Sequence, residues 1–253
     1  MNKVESLKKS LREKKCVKVI AGISNFDTEK VRMIVTAAEH GGASAVDVAA
    51  REDIIKLAQE TTNLPVFVSS IKPEELKMAA DSGADVLEIG NFDALYRDGL
   101  RITAQEVLEI TRKTIELVGN DTMLSVTVPG HIDVSEQVKL ALELEALGVD
   151  LIQTEGAAIT NATSAGARGL LETAQVSIAN TVELVRNINI PVMTASGITE
   201  TTAPLAIAAG ASAVGIGSCV NKLNSTFEMT IAVKSIVESV NKLNVSSEQE
   251  ILA

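Results

Sequence analysis

Short apolar runs alternate with amphipathic stretches along the whole chain. Four of the apolar runs open in the same way: a helical stretch ends, a glycine follows, and a β run begins two or three residues later. They are His40-Gly-Gly-Ala-Ser-Ala-Val-Asp-Val-Ala, Ser82-Gly-Ala-Asp-Val-Leu-Glu-Ile-Gly, Leu147-Gly-Val-Asp-Leu-Ile-Gln-Thr-Glu-Gly and Ala209-Gly-Ala-Ser-Ala-Val-Gly-Ile-Gly-Ser. The repeating glycines, Gly42, Gly83, Gly148 and Gly210, suit the left-handed position just past a helix end. Further β runs lie between these units, at Cys16–Gly22, Pro65–Ser70, Leu124–Pro129 and Pro191–Gly197. Pro65 and Pro191 stand at strand starts, where a missing N–H is tolerated.

Each of the eight runs is followed by a stretch with helical periodicity: Asp27–His40, Glu52–Thr61, Glu74–Asp81, Ala104–Val118, Ser135–Leu147, Leu170–Arg186, Glu200–Ala208 and Thr226–Leu243. Thr103 with Glu106, and Ser225 with Glu228, have capping-box spacing. Strict β–α alternation, eight times over, predicts an α/β fold of the (β/α)8 TIM-barrel type. The charged segment before Cys16 adds an N-terminal helix. A doubly wound sheet would place a Gly-rich phosphate turn after its first strand. Ala21-Gly-Ile-Ser-Asn-Phe lacks that pattern, and the Gly-rich turns fall after the seventh and eighth strands instead. Composition is even throughout, so residues 1–253 read as a single barrel domain. The long Ala-, Gly- and Thr-rich loop from Gly156 to Gly169 has the length of a functional segment, such as a lid.

Side chains alternate across a strand, and the apolar set is expected to meet the surrounding helices. The opposite set then points into the barrel: Asp47, Ser69, Glu88, Thr127, Gln153, Glu155, Thr194 and Ser196. Lys18 joins them, because burying its ammonium against aliphatic helices would be costly. Asp47, Glu88, Gln153 and Gly215 each lie five residues past a repeat glycine, so they should share one layer, with Glu155 nearer the mouth. A barrel interior is usually filled with Val, Ile and Leu. The polar set therefore marks either a functional site or a salt-bridge plug. Three carboxylates facing one lysine also imply that one carboxyl has a raised pKa, the condition for acid/base work near neutrality.

Composition narrows the classes of partner. The 253 residues are 46% apolar, with a net charge of −10, one Tyr, four Phe and no Trp. The acidic balance and the scarcity of aromatics exclude a nucleic-acid footprint. Charged and Gly or Pro positions break every apolar run before the ~20 residues of a membrane span. The first residues lack the features of a signal or transit peptide. No ligand-spaced His or Cys cluster points to a transition metal, although oxygen ligands would suit Mg²⁺ or Mn²⁺, and nothing calls for a cofactor. Cys16 and Cys219 lie at opposite ends of neighbouring strands, roughly 15 Å apart at ~3.3 Å per residue, too far for a disulfide.

The seventh strand ends Thr194-Ala-Ser-Gly-Ile-Thr and the eighth Gly215-Ile-Gly-Ser-Cys-Val-Asn, with a short helix expected over Cys219–Leu223. In many barrels these two turns and an extra helix bind phosphate through backbone N–H groups. Ser196, Gly197, Gly217 and Ser218 are therefore the phosphate-binding candidates; the alternative is that small residues only permit tight turns. The pairing resembles the ribulose-phosphate-binding barrels, which implies a small phosphorylated ligand but carries over no catalytic set. Val17-Lys-Val-Ile-Ala-Gly-Ile-Ser-Asn-Phe-Asp, Gly83-Ala-Asp-Val-Leu-Glu-Ile-Gly-Asn-Phe-Asp and Leu151-Ile-Gln-Thr-Glu-Gly are similar, more closely, to the twenty-third hypothetical chloroplast reading-frame (ycf) family. That likeness extends over nearly the whole chain. It implies the plastid stroma or the cytoplasm of a cyanobacterium, and supplies no reaction. The repeated Asn-Phe-Asp, at Asn25–Asp27 and Asn91–Asp93, reads as a helix cap with the Phe as its staple, or as lining of the mouth.

The sequence thus points to an isomerase or carbon–carbon lyase acting on a small phosphorylated metabolite. Lys18 with Asp47, Glu88 or Glu155 would be its catalytic groups, and Thr127, Gln153 and Thr194 further polar lining. A Schiff base at Lys18 is disfavoured by the nearby carboxylates, which hold it charged. His131, after the fifth strand, is a second acid/base candidate; Arg168 reads as a solvated loop charge. The rival is a non-catalytic barrel that senses a phosphorylated ligand or serves assembly. Either reading leaves room for a homo-oligomer.

Overall fold

The computed structural model describes residues 2–96, 99, 101–119, 121–156 and 162–250. In chain order the elements are α1 (Lys3–Arg12), β1 (Cys16–Ile20), α2 (Thr28–Gly41), β2 (Ala45–Ala49), α3 (Glu52–Thr61), β3 (Val66–Ser70), α4 (Pro73–Asp81) and β4 (Val86–Ile89). There follow α5 (Asp93–Tyr96), α6 (Ala104–Val118), β5 (Met123–Thr127), α7 (Val134–Ala146), β6 (Leu151–Thr154) and α8 (Gly166–Asn187). The last are β7 (Val192–Thr194), α9 (Ala203–Ala208), β8 (Ala213–Ile216), α10 (Ser218–Asn221) and α11 (Thr226–Glu250). The strands are parallel and close in sequence order, β8 pairing with β1. This is the expected (β/α)8 barrel with its extra N-terminal helix.

Local signals hold where they rest on backbone chemistry. Gly42, Gly83, Gly148 and Gly210 all have positive φ, between 78° and 107°. Thr103 and Glu106 form the capping box of α6. Asp27 caps α2, accepting from the N–H groups of Glu29 and Lys30. Phe26 is no staple: it is exposed, with the Arg51 guanidinium 4.7 Å over its ring. The part of the Gly156–Gly169 loop that would act as a lid, residues 157–161, lies outside the described residues. Its far end is helical from Gly166, and Arg168 is exposed beside Glu172.

Two cores organise the molecule. The larger one lies between the barrel wall and the helices, where Val17, Val19, Val46, Val48, Leu87, Ile89 and Val126 meet the aliphatic helix faces. The smaller one is the barrel floor: Cys16, Ala45, Phe67, Val86, Met123, Leu151, Met193 and Ala213 pack with Leu7 and Leu11 of α1, which seals that end. Above the floor the lumen turns polar. Strand register places one inward residue from each even strand, Asp47, Glu88, Gln153 and Gly215, in a single layer. The same register puts Lys18, Phe67, Ser125 and Met193 one layer below, and Ile20, Ser69, Thr127 and Ala195 one layer above.

One inward assignment is corrected. Thr194 faces the helix layer, not the lumen: its Oγ1 is 2.6 Å from Thr181 Oγ1 on α8. Thr154 Oγ1 lies 3.3 Å from the same hydroxyl. The physical reason is that α8 presents buried Ser177, Asn180 and Thr181 where other helices present aliphatic groups. The outward side of β7 is therefore the polar one, and Met193 turns inward to the floor.

Candidate functional site

The lumen holds a charged network without solvent-exposed surface. Lys18 Nζ lies 2.5 Å from Glu88 Oε2, with both side chains 0% exposed. The ammonium also sits 4.7 Å over the Phe67 ring. Ser125 Oγ donates to Glu88 Oε2 at 3.0 Å, and Gln153 Nε2 donates to Glu88 Oε1 at 3.0 Å. Gln153 Nε2 also reaches Thr127 Oγ1 at 3.1 Å. Its Oε1 is buried with no hydrogen-bond partner among the described residues, and it faces Gly215. Asp47 accepts from Ser69 Oγ at 2.5 Å and from Asn91 Nδ2 at 2.8 Å. Burial pushes the Asp47 carboxyl up to about 7; the Lys18 charge opposes the shift and Glu88 adds to it.

Glu155 occupies the next level up. Its Oε1 accepts from the Tyr96 hydroxyl and from Gly130 N–H, the latter at 3.2 Å. His131 Nδ1 is 3.0 Å from the same tyrosine oxygen. Tyr96, on the one-turn α5, and Phe92 just before it are buried in the core outside the lumen wall. The chain can turn here because Gly90 has no side chain: a Cβ would stand 1.9 Å from Thr127 Oγ1.

The two phosphate-candidate turns open at the same end of the barrel. Ser196 and Gly197 both have positive φ, 70° and 74°. A Cβ on Gly197 would meet Thr173 O of α8 at 2.2 Å, so packing alone already demands that glycine. Gly217 is different: its φ is −131° and a Cβ there would only touch Ile20 O at 3.5 Å. Ser218 is exposed and begins α10. Asn221, at the end of α10, donates to Ile20 O at 3.0 Å and ties this corner to β1.

The structure thus joins Lys18, Asp47, Glu88, Thr127 and Gln153 in one connected lumen. Glu155 heads a second cluster above it, and Thr194 belongs to neither. Cys16 and Cys219 are free thiols that burial raises to about 11, unsuited to act as thiolates. Among the described residues no His, Cys, Asp and Glu group could hold a metal ion. No helix among them is long and apolar enough to cross a membrane. A cleft of about 520 Å³ opens at the opposite end, beside Lys8, Arg12 and Asp150, away from this chemistry.

Sequence reasoning missed Ser125 and Tyr96, and left Asn91 between a helix cap and lining of the mouth. Ser125 shares strand parity with Thr127 and was open to the same reading. Asn91 repeats the Asn25 motif but does another job: φ of 62° turns it into the lumen, onto Asp47 and Ser69. Tyr96 is the single tyrosine of the chain, a signal that its sequence context does not interpret.

Comparison with known proteins agrees with this fold. The model of the family described as "Protein of unknown function (DUF561)" matches residues 1–246. The "Uncharacterized protein ycf23" of Cyanophora paradoxa is 42% identical over 241 residues, 95% of this chain and 97% of that protein. The protein of the same name in Pyropia yezoensis is 35% identical over 228 residues, 90% of this chain and 83% of that one. Among solved structures, (S)-3-O-geranylgeranylglyceryl phosphate synthase from Thermoplasma acidophilum, in complex with its substrate sn-glycerol-1-phosphate, superposes with a TM-score of 0.67 at 18% identity, covering 96% of this chain and 99% of that one. A 3-hexulose-6-phosphate synthase superposes at 0.61 and 15% identity, covering 88% and 99%. At such identities the likeness speaks for the fold. The family match and the curated relatives go further: the chain belongs to the DUF561 family, together with the ycf23 proteins, and builds it on a (β/α)8 barrel.

Proposed function

We propose that this protein is an enzyme that binds a small phosphorylated metabolite at the β7 and β8 turns and moves a proton on it, as an isomerase or carbon–carbon lyase. The observation that carries the reading is the buried lumen network: a lysine paired with Glu88 beside an Asp47 carboxyl raised to about 7. A carboxyl of that pKa takes and returns a proton near neutrality. Lys18 supplies a fixed positive charge for the oxyanion that forms when a proton leaves the carbon beside a carbonyl. Its contact with Glu88 favours this electrostatic role over a Schiff base, which needs a neutral amine. Ser196, Gly197, Gly217 and Ser218 would hold the phosphate with backbone N–H groups. Solved barrels of the same fold whose titles name phosphorylated compounds support that ligand class. The ycf23 relatives support a plastid stroma or cyanobacterial cytoplasm as its place.

One feature favours a second reading, a non-catalytic ligand-sensing or assembly barrel. Lys18 and Glu88 have no exposed surface. Thermal-shift titration with a panel of sugar phosphates decides the binding claim. Gly217→Val is the informative variant, since a Cβ at Gly217 only touches Ile20 O at 3.5 Å whereas one at Gly197 would meet Thr173 O at 2.2 Å. The expected result is stabilisation of the wild type and at least a tenfold weaker effect in Gly217→Val. Equal binding by both would place the ligand elsewhere. Native mass spectrometry of the purified protein for a retained ligand identifies the compound. Binding without turnover of it would select the sensing reading.

A further inference from the structure

The Tyr96 hydroxyl lies between two groups that can each accept its proton. On one side is Glu155 Oε1, buried at the top of the lumen; on the other is His131 Nδ1 at 3.0 Å. His131 is exposed, and its ring meets Tyr96 edge-on, with centroids 5.1 Å apart and planes at 85°. The hydroxyl has one proton and so donates to one neighbour at a time. When it donates to Glu155, the contact with His131 is a bond only if Nδ1 carries a hydrogen. When Glu155 is protonated, it donates to Tyr96 and Tyr96 donates to a bare Nδ1. Both arrangements run in one direction through three groups, and they differ by the shift of two protons.

We infer that His131, Tyr96 and Glu155 form a proton relay between solvent and the top of the lumen, with Glu155 as its inner acid/base terminus. Inward transfer balances simply. Water delivers a proton to Nε2 of His131, the Nδ1 proton passes to the Tyr96 oxygen, and the tyrosine's own proton passes to Glu155. The imidazole ends neutral with its hydrogen on Nε2, the tyrosine is unchanged, and the carboxylate has become a carboxylic acid. Outward transfer is the reverse. Neighbouring groups hold the parts in place: Gly130 N–H fixes Glu155, and the Arg101 guanidinium lies 4.7 Å over the Tyr96 ring while donating to its carbonyl at 3.2 Å. Burial and Arg101 lower the His131 pKa, and Glu136 opposes them.

The relay deepens the proposed acid/base function, but its test needs no substrate. NMR of the full chain follows the His131 ring nitrogens and the Glu155 carboxyl carbon against pH. In the wild type the neutral imidazole should carry its hydrogen on Nδ1 above the transition. Both resonances should then report the same two apparent midpoints, as coupled sites do. Tyr96→Phe keeps the ring and removes the hydroxyl; it should return neutral His131 to the Nε2–H form and leave each resonance with a single midpoint of its own, the two differing by at least one pH unit. Glu155→Gln should leave a single ordinary imidazole titration, and serves as the second test if Tyr96→Phe does not fold. A single separate midpoint for each resonance in the wild type, or shared midpoints that survive in Tyr96→Phe, would overturn the relay. Neither outcome bears on phosphorylated-ligand binding, which the Gly217→Val titration reads on its own.

Discussion

Lys18 shows how far a single buried charge depends on its partner. Its ammonium has Glu88 at 2.5 Å and no exposed surface, so removing the lysine leaves a carboxylate stranded in the lumen. Breaking such a pair costs about 3–5 kcal/mol, whereas replacing both members by neutral groups costs much less. Lys18→Met is therefore expected to lower the unfolding free energy by about that amount in urea titrations, and adding Glu88→Gln to recover part of the loss. Asp47 makes a prediction with a sign. Its carboxyl is raised in the fold from 3.8 to about 7, so the folded state keeps a proton that the unfolded chain gives up. This contribution is fully present below the unfolded value and is lost as pH rises through the folded one, with a slope of up to about 1.4 kcal/mol per unit in between. Urea midpoints between pH 4 and 7 should fall more steeply for the wild type than for Asp47→Asn. Equal slopes would show that Asp47 is ionised throughout.

At the scale of elements, what a strand faces decides which of its sides is polar. Asp47 and Glu88 were readable from the sequence because β2 and β4 lie against aliphatic helix faces there, and Gln153 because its outward neighbour Ile152 does the same. The same rule failed on β7, because α8 brings Ser177, Asn180 and Thr181 to the wall. No alternation within Val192–Thr194 contains that information; it comes from a helix beginning some twenty-five residues earlier. Thr181 is the centre of this contact, bonded to Thr194 at 2.6 Å and to Ser177 O at 2.8 Å. Thr181→Val would leave the Thr194 hydroxyl unsatisfied, at a cost of about 1–3 kcal/mol. Calorimetry should show that loss while sugar-phosphate binding is unchanged. A loss of binding with stability intact would return Thr194 to the lumen side.

The whole molecule separates stability from chemistry along the barrel axis. The floor is apolar and capped by α1, and the polar layers with the candidate turns lie at the other end. Leu7 is fully buried in that floor. Leu7→Ala is expected to destabilise the fold by about 2–5 kcal/mol, the range for an aliphatic truncation in a packed core. Ligand affinity at the opposite face should not change once the variant is folded. A parallel fall in both would mean that the floor supports the site directly. Part of the acidic excess follows the same division: Asp47, Glu88 and Glu155 point inward at the polar end.

Periodicity, capping residues and helix-ending glycines are local properties, and they sufficed for the eight strand–helix units, the closed barrel and the shared layer of Asp47, Glu88, Gln153 and Gly215. These features follow from which backbone conformations a short segment can adopt and which side of it is apolar. Only the folded molecule decided that Thr194 faces a helix, that Asn91 binds Asp47, and that Tyr96 joins His131 to Glu155. Each of those is a contact between residues distant in sequence, set by how a turn is aimed or what a neighbouring element presents. Alternation within one strand carries no record of either.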